Sequence, residues 1–294
     1  VPAVAALIDP VRFIPDWRID DVMVSYASDQ GGVGPHFDQY DVFLVQGAGR
    51  RRWQIGGMCD AATPQIDQGG LALLADFQPS AEWVLEPGDI LYLPPGIAHN
   101  GVALGDGCVT YSIGFRALSR RELLAGWCDE VLGEEDPADP RYADPGLTPQ
   151  PNPGEITPAA IDVLHRLALE QLQDRAAFAR WFGTYTSAPK YPEVDWAPEE
   201  PLTLDEMREL ADAGLPLCRN PASRFAFIRT APDVVTLFVD GCSHDCTGPA
   251  AIFAEQICAA RQITLASADL ANAAIAALVL ALCNQGSLAF DDSE

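Results

Sequence analysis

The sequence predicts a mainly β protein with added helices: a barrel or double-sheet jelly roll, then a helical region, then a small winged-helix-like module. Residues 20 to 117 alternate apolar and polar positions with period two, between turns rich in Gly, Pro, Asn and Asp. At Ser119 the period becomes that of a helix. After residue 201, two strand-like runs stand among helical ones. These three observations divide the chain into domains at residues 1–117, 118–190 and 191–294.

The first domain contains several short predicted strands, which lie in the runs 22-VMVSYAS, 41-DVFLVQG, 81-AEWVLEPGDILYLPPG and 108-CVTYSIGFRA. Each run is bounded by turn residues. Many short antiparallel strands of this kind favour a closed barrel or a jelly roll, in which few sheet edges stay unpaired.

The second domain is predicted to be helical. Ser119 and Glu122 have the spacing of a capping box, and an apolar face follows from Leu123 to Leu132. We expect an exposed connection at residues 133–156 and a second helix from Thr157 to Gly183. The apolar stripe of this second helix must be buried, either against its own β domain or, as we expect, in a homodimer interface.

The third domain combines helices with a predicted strand pair, 225-FAFIRT and 234-VVTLFVDG, and so has the pattern of a winged helix. Thr203 and Glu206 repeat the capping-box spacing, and Gly214 closes that helix. The run 249-PAAIFAEQICAARQI carries too little positive charge for a DNA-recognition helix. We expect an interaction or structural domain that does not bind DNA.

Composition and charge narrow the function classes. The protein has a formal net charge of -24 and a pI near 4.3, so it repels nucleic acid and attracts basic partners.

Other sequence features bear on the location of the protein. The longest apolar run, residues 273–283, is about half of the roughly 20 residues that a membrane span needs. The eight Cys fall mostly in apolar patterns, which favours a reducing cytoplasm. The chain starts at Val1 without a basic leader, so we expect no secretory signal and a truncated N-terminal end.

A His-x-Asp tripeptide on a predicted strand indicates a metal site. His36 and Asp38 lie two residues apart and therefore project from the same face of the strand. A jelly roll can bring a late strand beside an early one, and His99 follows a Pro-Pro-Gly turn on such a strand. Two imidazoles and one carboxylate form the facial triad of non-haem Fe(II) oxygenases, which leaves coordination positions for a cosubstrate and oxygen.

Three consecutive arginines, residues 50 to 52, follow in a chain that is otherwise strongly acidic. A guanidinium can hold the distal carboxylate of a 2-oxoacid cosubstrate through a bidentate pair. Alternation places Arg51 on the face opposite Arg50 and Arg52, but the register that decides which face is inward is not visible in the sequence. Arg116 is another candidate, although a structural salt bridge explains it more simply.

The run 31-GGVGPHFDQYDVFLVQGAGRRRW-53, together with 94-PPGIAHNG-101 and 110-TYSIGFRA-117, resembles the JmjC-type 2-oxoglutarate oxygenases, and most closely the bacterial YcfD-like ribosomal protein arginine hydroxylases. The resemblance implies a double-stranded β-helix of the cupin type, a helical dimerisation region and a winged-helix-like domain. It implies His36, Asp38 and His99 as Fe(II) ligands. Arg51, fifteen positions after His36, is then the 2-oxoglutarate anchor.

The resemblance also implies an activity and a partner. The expected reaction is hydroxylation of the β-carbon of an arginine in a basic large-subunit ribosomal protein, the sixteenth by convention. The acidic chain suits such a substrate.

Further residues near the expected site are weaker candidates. Ser25, Asn100 and Ser112 could hydrogen-bond the cosubstrate or the metal ligands, and Asp29 could pair with a cationic substrate side chain. Outside the first domain, His165 is most simply a helix-surface or interface residue. The triplet Cys242, His244 and Cys246 resembles part of a zinc site but has no suitably spaced fourth ligand.

Three alternative functions remain at this point. A JmjC-type demethylase of Nε-methyl-lysine uses the same cosubstrate on a methyl group. A metal cupin that acts on a small molecule without 2-oxoglutarate uses the same ligands but leaves Arg51 unexplained. A metal-binding regulatory scaffold binds metal without turnover.

Overall fold

A computed structural model describes residues 2–133 and 140–291, and the chain divides into two compact units, residues 1–117 and 118–294. Of the expected connection at 133–156, residues 134–139 lie outside the described ones. No helix within the described residues is both long enough and apolar enough to cross a membrane.

The first unit begins with a short helix and two 3₁₀ turns, after which every regular element is a strand. The helix is α1 (Pro2–Ala5), and the strands are β1 (Ile19–Ala27), β2 (Asp41–Met58), β3 (Gln65–Gln68), β4 (Leu71–Leu74), β5 (Ala81–Leu85), β6 (Ile90–Leu93) and β7 (Ile97–Phe115).

Two long strands, β2 and β7, each contribute to both layers of a jelly roll. The first half of β2 pairs with β6 and with the second half of β7, which in turn pairs with β1. The second half of β2 pairs with β5 and with the first half of β7. Strands change layers at bulges, and β2 shows register shifts between Gln46 and Arg50. The predicted jelly roll is confirmed.

The core of this unit lies between the two layers. Buried side chains from both halves of β2 pack there with residues of β5 and β6; they are Val42, Leu44, Trp53, Leu85 and Leu93. The first half of β2 and the second half of β7 lie in one layer. On the outer face of that layer, Ile113 and Phe115 pack against Val11 of the N-terminal segment.

The described part of the second unit contains helices and two small sheets. Its elements are α2 (Arg120–Gly133), α3 (Pro158–Leu169), α4 (Arg175–Ser187), α5 (Leu204–Asp212), β8 (Pro216–Arg219), β9 (Phe225–Ala231), β10 (Val234–Val239), β11 (Cys242–Thr247), α6 (Pro249–Ala259), β12 (Gln262–Thr264), α7 (Ser267–Leu270), α8 (Ala273–Asn284) and β13 (Leu288–Phe290). The predicted strand pair is confirmed as β9 and β10, which run antiparallel. Both predicted capping boxes form, at Ser119 and at Thr203.

The expected continuous helix from Thr157 to Gly183 is wrong. The chain forms α3, a 3₁₀ turn at Gln171–Gln173 and then a separate helix α4. The reason is local: the Asp174 carboxylate accepts hydrogen bonds from the backbone N–H groups of Ala176 and Ala177, so a new helix begins there.

Candidate metal and cosubstrate site

The three expected metal ligands lie together in the first unit. One ligand atom each from His36, Asp38 and His99 lies within 4.8 Å of the others, and this is the cluster of metal-binding type that the described residues contain. Backbone pairing positions them: His36 N–H donates to His99 O at 3.0 Å, and His99 N–H donates back to His36 O at 2.8 Å. The loop carbonyl of Asp38 accepts from Gly96 N–H at 2.7 Å. The Pro-Pro-Gly turn therefore brings the late strand onto the His-x-Asp segment.

Both imidazoles are oriented as metal ligands. His36 Nδ1 lies 2.9 Å from the carbonyl oxygen of Gly34, and His99 Nδ1 lies 2.9 Å from that of Ile97. Because a carbonyl oxygen only accepts, each Nδ1 donates, so the tautomer that binds a metal presents Nε2 to it. Burial lowers the pKa of His99, which keeps this imidazole neutral as a metal ligand must be.

The carboxylate of the cluster, that of Asp38, interacts with His99 and with Tyr40. His99 Nε2 lies 3.7 Å from Asp38 Oδ2. Burial, followed by the charge and hydrogen bonding of Asp38, raises the pKa of Tyr40 to about 12. The Tyr40 hydroxyl therefore stays protonated and can donate to the Asp38 carboxylate.

Of the three consecutive arginines, Arg51 is the buried one. Its exposure is 5%, whereas Arg50 is exposed and Arg52 Nε lies 3.9 Å from Glu82 Oε2. Arg51 is paired across the sheet with Ala103, and His99 lies four residues before Ala103 on the same strand, so both side chains project from one inner face. The Arg51 guanidinium lies 5.2 Å from the centre of the Trp53 ring, which is 5.9 Å from the His99 ring.

The buried Arg51 guanidinium has no carboxylate partner among the described residues. It donates to neutral acceptors: Nη1 to Ser25 Oγ at 3.4 Å and Thr110 Oγ1 at 3.3 Å, and Nη2 to Gly101 O at 3.3 Å. Nε is buried with no hydrogen-bond partner. Burial lowers the pKa of this guanidinium, since the site disfavours its charge. An isolated buried cation is costly, so the arrangement fits a bound anion such as a carboxylate.

The other candidates are distributed unevenly around this site. Ser25 contacts Arg51 directly, and Ser112 lies two residues from Thr110 on the same face of β7. Asn100 lies on the opposite face, where its Nδ2 donates to Gln54 Oε1 at 3.1 Å. Arg116 Nε pairs with Asp20 Oδ1 at 3.2 Å. The structure therefore does not bring Asn100 or Arg116 to the cluster.

Asp29 lies in the loop after β1. Its Oδ1 accepts from Gly105 N–H at 2.7 Å and from Gln30 Nε2 at 3.2 Å. These hydrogen bonds, the one from Gly105 first, lower the pKa of the exposed carboxylate, so Asp29 is ionised near neutral pH.

The weaker candidates of the second unit do not form a site. His165 is exposed on α3. Cys242, His244 and Cys246 share one face of β11, but they are not a cluster of metal-binding type in the part of the chain that the structure describes.

Four residues around Arg51 were missed by sequence reasoning: Gln46, Trp53, Gly101 and Thr110. Gln46 and Thr110 are 1% exposed, and Trp53 is 5% exposed. A polar residue at the end of the apolar run 42-VFLVQ was the available signal for Gln46. Gly101 allows close packing, because a Cβ there would lie 2.7 Å from Trp53 and 2.8 Å from Arg51 Nε.

Comparison with protein families agrees with this geometry. A family model described as a JmjC domain matches residues 6–123, and one described as a ROXA-like winged helix matches residues 170–289. A third, an AraC-like ligand binding domain, matches residues 80–181.

Similar proteins are ribosomal oxygenases. The ribosomal protein uL16 3-hydroxylase of Escherichia coli (strain K12) is 44% identical over 199 residues, which cover 67% of this chain and 52% of that protein. A probable ribosomal oxygenase of Haemophilus influenzae is 37% identical over 185 residues, which cover 62% of this chain and 46% of that protein. The chain spans about half the length of these curated relatives.

Solved structures extend the similarity to almost the whole chain. The crystal structure of E. coli YcfD has a TM-score of 0.86 and 34% identity, and the match covers 99% of this chain and 76% of that one. The structure of YcfD in complex with cobalt and 2-oxoglutarate has a TM-score of 0.82 and 35% identity, with 99% and 75% coverage.

Proposed function

Because the chain belongs to the JmjC-domain ribosomal oxygenases, we propose that it is an Fe(II)- and 2-oxoglutarate-dependent hydroxylase of a ribosomal protein. The proposed substrate is an arginine of the large-subunit protein uL16, which gains a hydroxyl group on its β-carbon. One observation carries the proposal: a buried, unpaired guanidinium, Arg51, lies on the same inner face as a His-Asp-His cluster. A metal cupin without 2-oxoglutarate has no use for that cation.

The donor set fits Fe(II). Two imidazole nitrogens and one carboxylate oxygen leave further coordination positions, as in other non-haem iron oxygenases. Bound iron and 2-oxoglutarate supply the chemistry of oxygen activation. His36 and His99 present Nε2 lone pairs that their Nδ1–H hydrogen bonds orient, and Asp38 completes the set. Arg51 receives the distal carboxylate of 2-oxoglutarate, and Ser25 holds the guanidinium in place.

Charge supports a basic protein substrate. The chain has a formal net charge of -24, which attracts a cationic partner over a long range at low salt. At shorter range, the ionised Asp29 carboxylate pairs with the substrate guanidinium in this proposal. The association rate should therefore fall as the salt concentration rises, and Asp29→Asn should weaken substrate binding without weakening 2-oxoglutarate binding.

Mass spectrometry of uL16 after incubation with the protein, Fe(II) and 2-oxoglutarate tests the reaction. We expect one added oxygen on one arginine, and none with Asp38→Ala. Loss of methyl groups from lysine would instead favour the demethylase. Consumption of 2-oxoglutarate with no protein modification would point to a small-molecule substrate. Metal binding with no consumption of 2-oxoglutarate would favour the regulatory scaffold.

The helical region supports a homodimer. Helix α3 has no buried residue, and its apolar side chains Ile161 and Leu164 are 51% and 42% exposed. Burying this stripe against a second copy would remove it from water. The double variant Ile161→Glu/Leu164→Glu should be monomeric by light scattering. Ile252→Glu, which replaces a 61% exposed residue of α6, should leave the mass unchanged.

A ribosomal protein substrate supports a cytoplasmic location for the protein. We also propose that the winged-helix region does not bind DNA. Helix α6 carries no Lys or Arg, and its buried residues, which include Phe253 and Ile257, pack in the core of the second unit. A basic recognition helix is what DNA binding of this kind requires.

A further inference from the structure

Gln46 is a buried polar side chain on the inner face of the jelly roll, at the point where β2 changes layers. It is 1% exposed and directly precedes the register shifts of β2. Its Nε2 donates to the carbonyl oxygens of Ala48 at 2.7 Å and Gly49 at 3.3 Å. Gln46 therefore spans the bulge from the inside and holds two of its carbonyl groups.

These contacts determine which way the amide group of Gln46 faces. Carbonyl oxygens only accept hydrogen bonds, so the NH₂ group must point to Ala48 and Gly49 and the Oε1 atom must point away from them. Thr110 lies directly across the sheet from Gln46, and its hydroxyl donates to Gln46 Oε1 at 3.2 Å. The hydroxyl proton of Thr110 is thereby directed to Gln46.

The same Thr110 hydroxyl then has its lone pairs free for Arg51. Arg51 Nη1 donates to Thr110 Oγ1 at 3.3 Å, and this contact is buried. Without Gln46, the hydroxyl could rotate and place its proton toward the guanidinium. Gln46 therefore acts on Arg51 in two ways: it holds the bulge that precedes Arg51, and it directs a hydrogen-bond acceptor toward the guanidinium.

We propose that Gln46 and Thr110 are positioning residues that fix the Arg51 guanidinium for the distal carboxylate of a 2-oxoacid cosubstrate. This inference rests on the proposed function, because it assumes that Arg51 binds 2-oxoglutarate. Neither residue touches the cosubstrate in this proposal; both act through Arg51. The chemistry they serve is the discrimination of a dicarboxylate from a monocarboxylate.

Pyruvate isolates this effect, because it keeps the 2-oxoacid group and lacks the distal carboxylate. The affinities of 2-oxoglutarate and pyruvate are measured by calorimetry on Mn(II)-loaded protein, a readout that needs no turnover. We expect Thr110→Val to lower the ratio of 2-oxoglutarate affinity to pyruvate affinity about tenfold, since a hydrogen bond to a charged group is lost. Thr110→Ser retains the hydroxyl and should restore the ratio.

Gln46→Met provides the second variant, and it should lower the same ratio with little change in pyruvate affinity. Thr236→Val is a matched control, since Thr236 is a buried threonine of the second unit whose Oγ1 donates to Asp245 at 2.9 Å. If Thr110 and Gln46 served folding alone, the variants would bind both 2-oxoglutarate and pyruvate more weakly, or Thr110→Ser would lower the affinity ratio as much as Thr110→Val does.

The outcomes separate this inference from the proposed function. If the wild-type protein prefers 2-oxoglutarate and the Thr110→Val and Gln46→Met variants keep the full preference, the positioning role is overturned. If the wild-type protein does not prefer 2-oxoglutarate over pyruvate, the assignment of Arg51 as the anchor is overturned, and the proposed cosubstrate with it.

Discussion

Replacing Arg51 by Met should weaken 2-oxoglutarate binding and at the same time make the ligand-free protein at least as stable as the wild type. Met keeps an unbranched side chain and removes the charge. In the proposed complex, the guanidinium forms a charge-assisted pair with the distal carboxylate, which contributes about 1.5–3 kcal/mol. The dissociation constant for 2-oxoglutarate should therefore rise about 10- to 150-fold.

The effect on stability follows from the environment of the free guanidinium. Arg51 is 5% exposed, its acceptors are neutral and lie at 3.3 to 3.4 Å, and its Nε has no partner. Burying a charged group under these conditions costs more than these hydrogen bonds return, since no anion compensates it. Removing the charge should raise the free energy of unfolding by about 1 kcal/mol, which corresponds to roughly 3 °C in Tm.

Calorimetry with 2-oxoglutarate and thermal unfolding of the metal-free protein measure the two effects. Arg50→Met and Arg52→Met are the matched controls, because Arg50 is exposed and Arg52 lies 3.9 Å from Glu82. Both controls should keep the wild-type affinity within about twofold. The reasoning is refuted if Arg51→Met lowers Tm by several degrees and leaves the affinity for 2-oxoglutarate unchanged.

Three further outcomes are expected. Metal analysis should show that His99→Ala loses bound Fe(II), whereas His165→Ala, on the exposed surface of α3, retains it; equal iron contents would remove the ligand assignment. Gly101→Ala should lower both Tm and 2-oxoglutarate affinity, since its Cβ would lie 2.8 Å from Arg51 Nε. Burial lowers the pKa of His244 below its ordinary 6.5. As the pH falls below 6.5, the unfolded chain therefore binds a proton at this residue before the folded protein does, and the folded protein loses stability. His244→Gln should therefore show a smaller fall in Tm than the wild type between about pH 7 and pH 5; an equal fall would contradict this.

Local patterns in the sequence were enough to predict the jelly roll and the starts of two helices. Alternation identified most strands of the first unit, because side chains of a strand face opposite sides in turn, but it did not identify the pair β3 and β4. Capping spacing placed the start of a helix at Ser119 and at Thr203, since a cap depends on residues only three positions apart. The same local logic failed after Leu169, where the apolar stripe continues through a break that Asp174 produces. A periodic pattern does not show where a helix is interrupted and restarted.

For the metal site, the sequence by itself determined the chemical types of the three ligands. The prediction that His36 and Asp38 project together rested on an expected strand, which is wrong: His36 forms only an isolated β-bridge with His99, and Asp38 lies in the loop that follows. The tertiary structure decided that His99 joins them, through backbone pairing with His36 across more than sixty residues. It also showed that Asn100, next to His99, faces away.

For the proposed cosubstrate anchor, strand period alone would have placed Arg50 and Arg52, rather than Arg51, on the inner face. Val42, Leu44 and Gln46 are the buried positions in the first half of β2, and a strict period of two continues to Arg50 and Arg52. The family spacing indicated Arg51, and the structure shows why Arg51 is the buried one. The register shifts between Gln46 and Arg50 insert an extra residue, which turns every following side chain to the other face. That bulge depends on pairing with β7 and on contacts of Gln46 inside the fold, so only the tertiary structure could decide it.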